Sequence, residues 1–142
     1  MDLRQALGAG EPASLQKLSL YLPERDRDGN EVPHIENWIE AALALFGEIN
    51  GGATRLPVAE GYWTPKKGEA VREPTNVVYS YIRDDTRFTA DLDRLVRFIH
   101  SFGKHARQGE VMVEFSGEVK GRGFVSRAYF IDKYPKAGKR PF

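Results

Sequence analysis

Between residues 15 and 131 the spacing of apolar residues switches four times between the two-residue repeat of a strand and the three-to-four-residue repeat of a helix. That order of switches restricts the fold more than any composition figure does. Leu18, Leu20 and Leu22 alternate with Lys17, Ser19 and Tyr21, which predicts a strand over 15–22 that Pro23 stops. From Ile35 the period lengthens. Ile35, Trp38, Ile39, Ala42, Leu45, Phe46 and Ile49 share a helical face opposite Glu36, Glu40 and Glu48, and Asn50-Gly51-Gly52 supplies residues that tolerate a left-handed helix end. Ala53 to Trp63 reads as extended but is broken by Pro57, which suits an edge strand or a bulge. Thr75 to Ile82 is β-branched and aromatic, the firmest strand in the chain, and forms a hairpin with the segment before it, tipped by Lys66-Lys67-Gly68. A second helix is predicted from Thr86 to His105, with Phe88, Leu92, Leu95, Ile99 and Phe102 as its apolar seam. Strands at 110–116 and 124–131 follow, joined by a turn over 117–123.

The resulting order, β-α-β-β-α-β-β, predicts an α+β fold: a ferredoxin-like sandwich (βαββαβ) with an additional C-terminal strand. Its antiparallel sheet carries two helices on one face and leaves aromatics on the other. A chain of 142 residues suits a single domain, here a flexible lead at 1–14, a core at 15–131 and a basic tail at 132–142. Zero cysteines exclude disulfides and thiolate metal sites. No apolar run approaches the ~20 residues of a membrane helix, and the first residues lack a signal-peptide layout, so a cytoplasmic protein with no membrane contact is expected. Residues 101–142 hold nine Lys/Arg against four acids, whereas 12 of the 21 basic and 16 of the 20 acidic residues come earlier. The net charge of +1 argues against a dedicated duplex-DNA binder. The tail KYPKAGKRPF allows a weak nucleic-acid contact, although a solvated terminus is the preferred reading.

Motifs that carry chemistry are sparse. Glu24-Arg-Asp26-Arg-Asp28-Gly29 begins like a calcium loop, but Ile35 stands where the bidentate glutamate belongs, so a flexible charged loop is the better account. His100 and His105, five apart on one helix, do not share a face as a zinc pair would. Gly121-Arg-Gly123 lies between strands and offers phosphate no helix N-terminus. No metal and no cofactor are expected. Asp84 and Asp85, with Glu60 and with His34 as proton carrier, compose the alternative site of a small metal-dependent nuclease or hydrolase.

The remaining feature is the 60–83 hairpin. Tyr62, Trp63, Lys66, Lys67, Arg72, Tyr79 and Tyr81 combine aromatic and cationic side chains as recognition surfaces do. The first expectation is therefore a non-enzymatic binding or regulatory module that recognises a protein partner or small ligand through this hairpin and the open sheet face. A homodimer is expected from the uncovered aromatic face and the final edge strand. Gly51-Gly52-Ala53-Thr54, Glu60-Gly61-Tyr62-Trp63 and Val77-Val78-Tyr79-Ser80-Tyr81-Ile82 resemble a group of small bacterial proteins that pair G-x-T after the first helix with G-x-W before a hairpin. That resemblance covers about residues 15–116 and implies a ferredoxin-like fold without an assigned activity. The projecting hairpin is also similar in geometry to that of PII-type signalling proteins.

Overall fold

In the computed structural model the elements are α1 (Leu3–Leu7), β1 (Gln16–Pro23), α2 (Ile35–Asn50), β2 (Thr54–Trp63), β3 (Val71–Tyr81), α3 (Asp85–His105), β4 (Val111–Val119) and β5 (Gly123–Ile131). The structure describes residues 1–11, 16–64, 68 and 70–142, without the side chains of Val58 and Trp63. The hairpin tip with Lys66 and Lys67 lies outside the described residues. Five strands make one open antiparallel sheet in the order β2-β3-β1-β4-β5. The first strand in the sequence is thus the middle of the sheet: Leu20 pairs with Val78 on one side and with Val113 on the other.

Paired residues point to the same face of a sheet. Leu18, Leu20 and Leu22 therefore join Val78, Val111 and Val113 in one core with Trp38, Ile39, Ala42, Phe46 and Ile49 of α2 and Leu95, Phe98, Ile99 and Phe102 of α3. Trp38 is central, only 1% exposed, with Phe98 and Phe102 edge-on at 5.9 and 5.3 Å. Such ring pairs add about 0.5–1.5 kcal/mol each beyond area burial.

The structure corrects the sequence reading in three places. Leu92 is 43% exposed and does not belong to the α3 seam, where Phe98 is buried in addition to Leu95, Ile99 and Phe102. No residue of α3 before Leu95 is fully buried: in this stretch Phe88 packs partly against the core, and Arg87 and Arg94 bond to Glu48 of α2. The turn expected over 117–123 is much shorter. β4 and β5 keep unbroken register from Val111↔Ile131 to Val119↔Gly123, because Gly121 (φ 82°) and Gly123 (φ 72°) accept the positive φ of a tight reversal. Pro57, by contrast, acts as expected, with the β2–β3 register shifting between Leu56 and Ala59.

The third correction concerns the basic tail, which is docked and not a solvated end. The Tyr134 hydroxyl donates to the Gln108 and Ile131 carbonyls at 2.9 and 3.2 Å. The Gly138 N–H donates to Ser101 Oγ at 3.0 Å, and the Phe142 ring stands edge-on to Trp38 at 5.1 Å. Of the four cations in this segment, Lys136 pairs with Asp93 at 3.0 Å and Arg140 lies over the Phe142 ring at 5.3 Å. Tyr134 and Phe142 anchor the segment through apolar contact that its surplus of charge conceals. At the other end of the chain, α1 is a single capped turn with no buried residue.

Candidate functional site

On the sheet face away from the helices, a cleft of about 640 Å³ opens where β1 and β5 end and β3 and β4 begin. Tyr21, Thr75, Met112 and Phe130 line it with four acidic residues, Asp26, Glu73, Glu110 and Asp132, and Glu60 borders it from β2. The alternation of each strand explains the lining. Tyr21, Glu73, Thr75, Met112 and Phe130 occupy the pleat positions opposite to those that fill the core, so the residues that fold the sheet leave these for the cleft. Gly61 sits directly across from Glu73, and a Cβ there would lie 3.3 Å from the Glu73 carbonyl and 3.4 Å from Thr75 Oγ1. The glycine lets β2 close against that wall.

The rim next to α3 is built by polar contacts. Asp26 Oδ1 accepts from the N–H groups of Asp28 and Asn30 at 2.9 and 3.0 Å, folding 24–31 into a tight turn closed by an Arg25↔Glu31 bridge. The expected flexible loop is therefore an ordered one, and the Asp26 carboxylate is spent on its own backbone. Arg107 adopts φ 52°, costly for a residue with a side chain. In that conformation its carbonyl takes the Arg27 N–H at 2.9 Å and its guanidinium meets Asp28 at 2.6 Å. Buried Gln108 ties the same turn down by donating to the Arg25 carbonyl at 3.0 Å.

The carboxylates are not equivalent. Glu60 is paired with Arg72 at 2.8 Å, and Asp26 is engaged as described. Glu110 and Asp132 have no ion-pair partner among the described residues, and their charges, after burial, hold the Tyr134 hydroxyl above its ordinary pKa. The Tyr21 hydroxyl donates to Glu114 Oε1 at 3.2 Å, and burial followed by the Glu114 charge raises its pKa. Tyr21 is thus a protonated donor at neutral pH. With Arg27 as the one cationic lining residue among the described residues, the cleft is arranged to attract positive charge on a small molecule. Its volume is in the usual range of small-molecule sites, about 300–1,000 Å³.

The residues singled out from the sequence are not brought together. Tyr62 is exposed and sits on the helix side of the sheet, with the Arg72 guanidinium 5.6 Å above its ring. Tyr79 and Tyr81 lie on the opposite face, their rings 5.9 Å apart, with Lys17 Nζ 4.5 Å over Tyr79. The nuclease set is scattered too. Asp84 caps α3 by accepting from the Arg87 N–H at 3.0 Å, and Asp85 begins the helix, both beyond the far end of β3 from the cleft. His34 is the left-handed residue that opens α2, next to the Phe142 ring at 6.0 Å. No group of three metal-ligating side chains exists among the described residues. Of the expected residues that are described, only Glu60 borders the cleft, and its pairing with Pro74 turns its side chain to the helix side, where it meets Arg72. Tyr21, Glu73, Glu110 and Asp132 went unnoticed because each stands in a different element, and only strand pairing assembles them.

No family model matches the sequence, and no curated protein does either. The fold is similar to that of a phage SAM lyase in complex with S-methyl-5′-thioadenosine, with a TM-score of 0.59 at 16% identity over 85% of this chain and 92% of that one. A phage SAM lyase in the apo state is similar at a TM-score of 0.57 and 16% identity, over 87% of this chain and 93% of the other.

Proposed function

We propose that the chain is a small enzyme whose acidic cleft takes a cationic small molecule, and that it cleaves a sulfonium such as S-adenosylmethionine by a lyase reaction. The observation that carries this reading is the carboxylate rim over a floor of Tyr21, Met112 and Phe130. A sulfonium is permanently positive, so ionised carboxylates and aromatic faces attract it. The likeness in fold to the phage lyases supports the choice of substrate class. A thioether can leave such a cation in two ways. A carboxylate of the cleft removes a proton from the carbon beside the one that bears sulfur, and the C–H pair becomes a C=C bond; or the substrate's own carboxylate oxygen attacks the carbon that bears sulfur and closes a lactone; in either case the C–S electron pair departs on sulfur. The attraction of the rim fades as that bond breaks, so most of the carboxylates favour binding over turnover. Glu110 and Asp132 are the open carboxylates for the chemical step.

Incubation with S-adenosylmethionine, followed by chromatography, should show S-methyl-5′-thioadenosine accumulating with time. Glu110→Gln or Asp132→Asn should lower the rate by about 100-fold or more if the residue is the base. Absence of the thioether, together with no thermal stabilisation by the substrate, would overturn the reading. The alternative of a small hydrolase shares the view that the chain is an enzyme, but its Asp84 is occupied as a helix cap. Neither the cleft nor the likeness to lyases supports a non-enzymatic module.

We also infer that the architecture is the ferredoxin-like one expected from the sequence, extended by β5; the strand order and the two core helices support it. Self-association is proposed along β5, which exposes Phe124, Tyr129 and Phe130 on an edge without a bulge.

A further inference from the structure

All three histidines of the chain touch the segment that follows β5. His100 Nδ1 accepts from the Lys136 backbone N–H at 3.0 Å, and its ring stands 6.2 Å from that of Tyr134. His105 Nε2 is 2.8 Å from the Gly138 carbonyl, and its ring stacks 6.5 Å from Trp38. His34 stands edge-on to Phe142. The three contacts respond differently to a proton. A nitrogen facing a carbonyl donates in both charge states, and an edge contact tolerates either. A ring nitrogen that accepts an N–H can do so only while unprotonated, because imidazolium carries a donor on both nitrogens. His100 is therefore the acid-labile point.

We propose that residues 132–142 are an acid-released strap: protonation of His100 detaches the segment from α3 and loosens the cleft wall from which it starts. The connection to the cleft is direct, since Asp132 lines it and Tyr134 bonds to the carbonyl of Gln108, another lining residue. The charged groups around His100 are Lys136 on the strap, itself paired with Asp93, and Arg97 and Lys104 one turn away on α3. Burial, and after it the Lys136 charge, hold the His100 pKa below its ordinary value. The sign follows. The released state binds the proton more readily, so the docked strap is favoured fully above the ordinary histidine pKa and is lost as pH falls through the depressed one. This inference goes beyond the lyase reading and does not depend on it.

Trp38 reports the strap, because Phe142 closes over a ring that is 1% exposed. In a Trp63→Phe variant, Trp38 emission should shift to the red in one step below about pH 6, with the far-ultraviolet helix signal unchanged. In the same background His100→Asn, whose amide oxygen can accept the Lys136 N–H at any pH, should abolish the step with the strap docked. His100→Ala should show red-shifted emission already at neutral pH. Lys136→Ala keeps the backbone donor but removes the opposing charge, so the midpoint should move up. No step, a step coincident with loss of helix, or an unaltered step in His100→Asn would each overturn the proposal.

Discussion

Gly103 shows how much one missing methyl group decides. It lies in α3, where alanine would be the better helix former by about 1 kcal/mol. A Cβ there would nevertheless fall 2.1 Å from Cε1 of Tyr134, inside the ring that anchors the C-terminal segment. Gly103→Ala should therefore destabilise the protein by about 1–3 kcal/mol, as overpacking does. In a Tyr134→Ala background the same substitution should become neutral or stabilising, so a double-mutant cycle in urea would read a coupling of opposite sign to the helix preference. Equal losses in both backgrounds would mean that the ring does not occupy that space.

Along α3 the two ends do different work. Asp84 satisfies an orphan amide at the start, and Asp84→Ala should cost about 0.5–2 kcal/mol of stability without affecting thioether formation. Loss of activity in a stable Asp84→Asn protein would return that residue to the chemistry. Leu95→Ala, in the buried half, should cost about 2–5 kcal/mol. Leu92→Ala should stay within about 0.5 kcal/mol, as exposed positions do. Denaturant titration of the pair tests where the helix enters the core. Periodicity made the helices, the five strands and the Pro57 irregularity legible, because each is written in consecutive residues. It could not tell Leu92 from Phe98, since both fit the repeat and only the packing of the folded helix separates them. The cleft was illegible for a related reason. Tyr21, Glu73, Glu110 and Asp132 look like ordinary polar positions on four separate segments, whereas the conspicuous Tyr62 and Tyr79 face opposite ways. The tail misled through its charge, which hid the two aromatics that dock it.

At the scale of the whole molecule the two sheet edges are unlike. β2 is bent by its bulge, whereas β5 runs nine residues in regular register and exposes three aromatics. Sedimentation at tens of micromolar should show more than one chain per particle, and Phe130→Lys with Phe124→Lys should shift it toward the monomer. A wild-type monomer at every concentration would remove the β5 proposal. The position of β1 has a consequence in time. β2–β3 and β4–β5 are pairings of near neighbours, which form within microseconds. β1 must instead find Tyr81 from Lys17 and Gly117 from Gln16, closing one loop of nearly half the chain and one of most of it. Until it does, two hairpins exist without a common sheet. We expect the middle strand to join the sheet last and after the barrier, so Leu20→Ala should accelerate unfolding far more than it slows folding, leaving the refolding arm of a chevron nearly where it was; a slowed refolding arm would place β1 in the barrier.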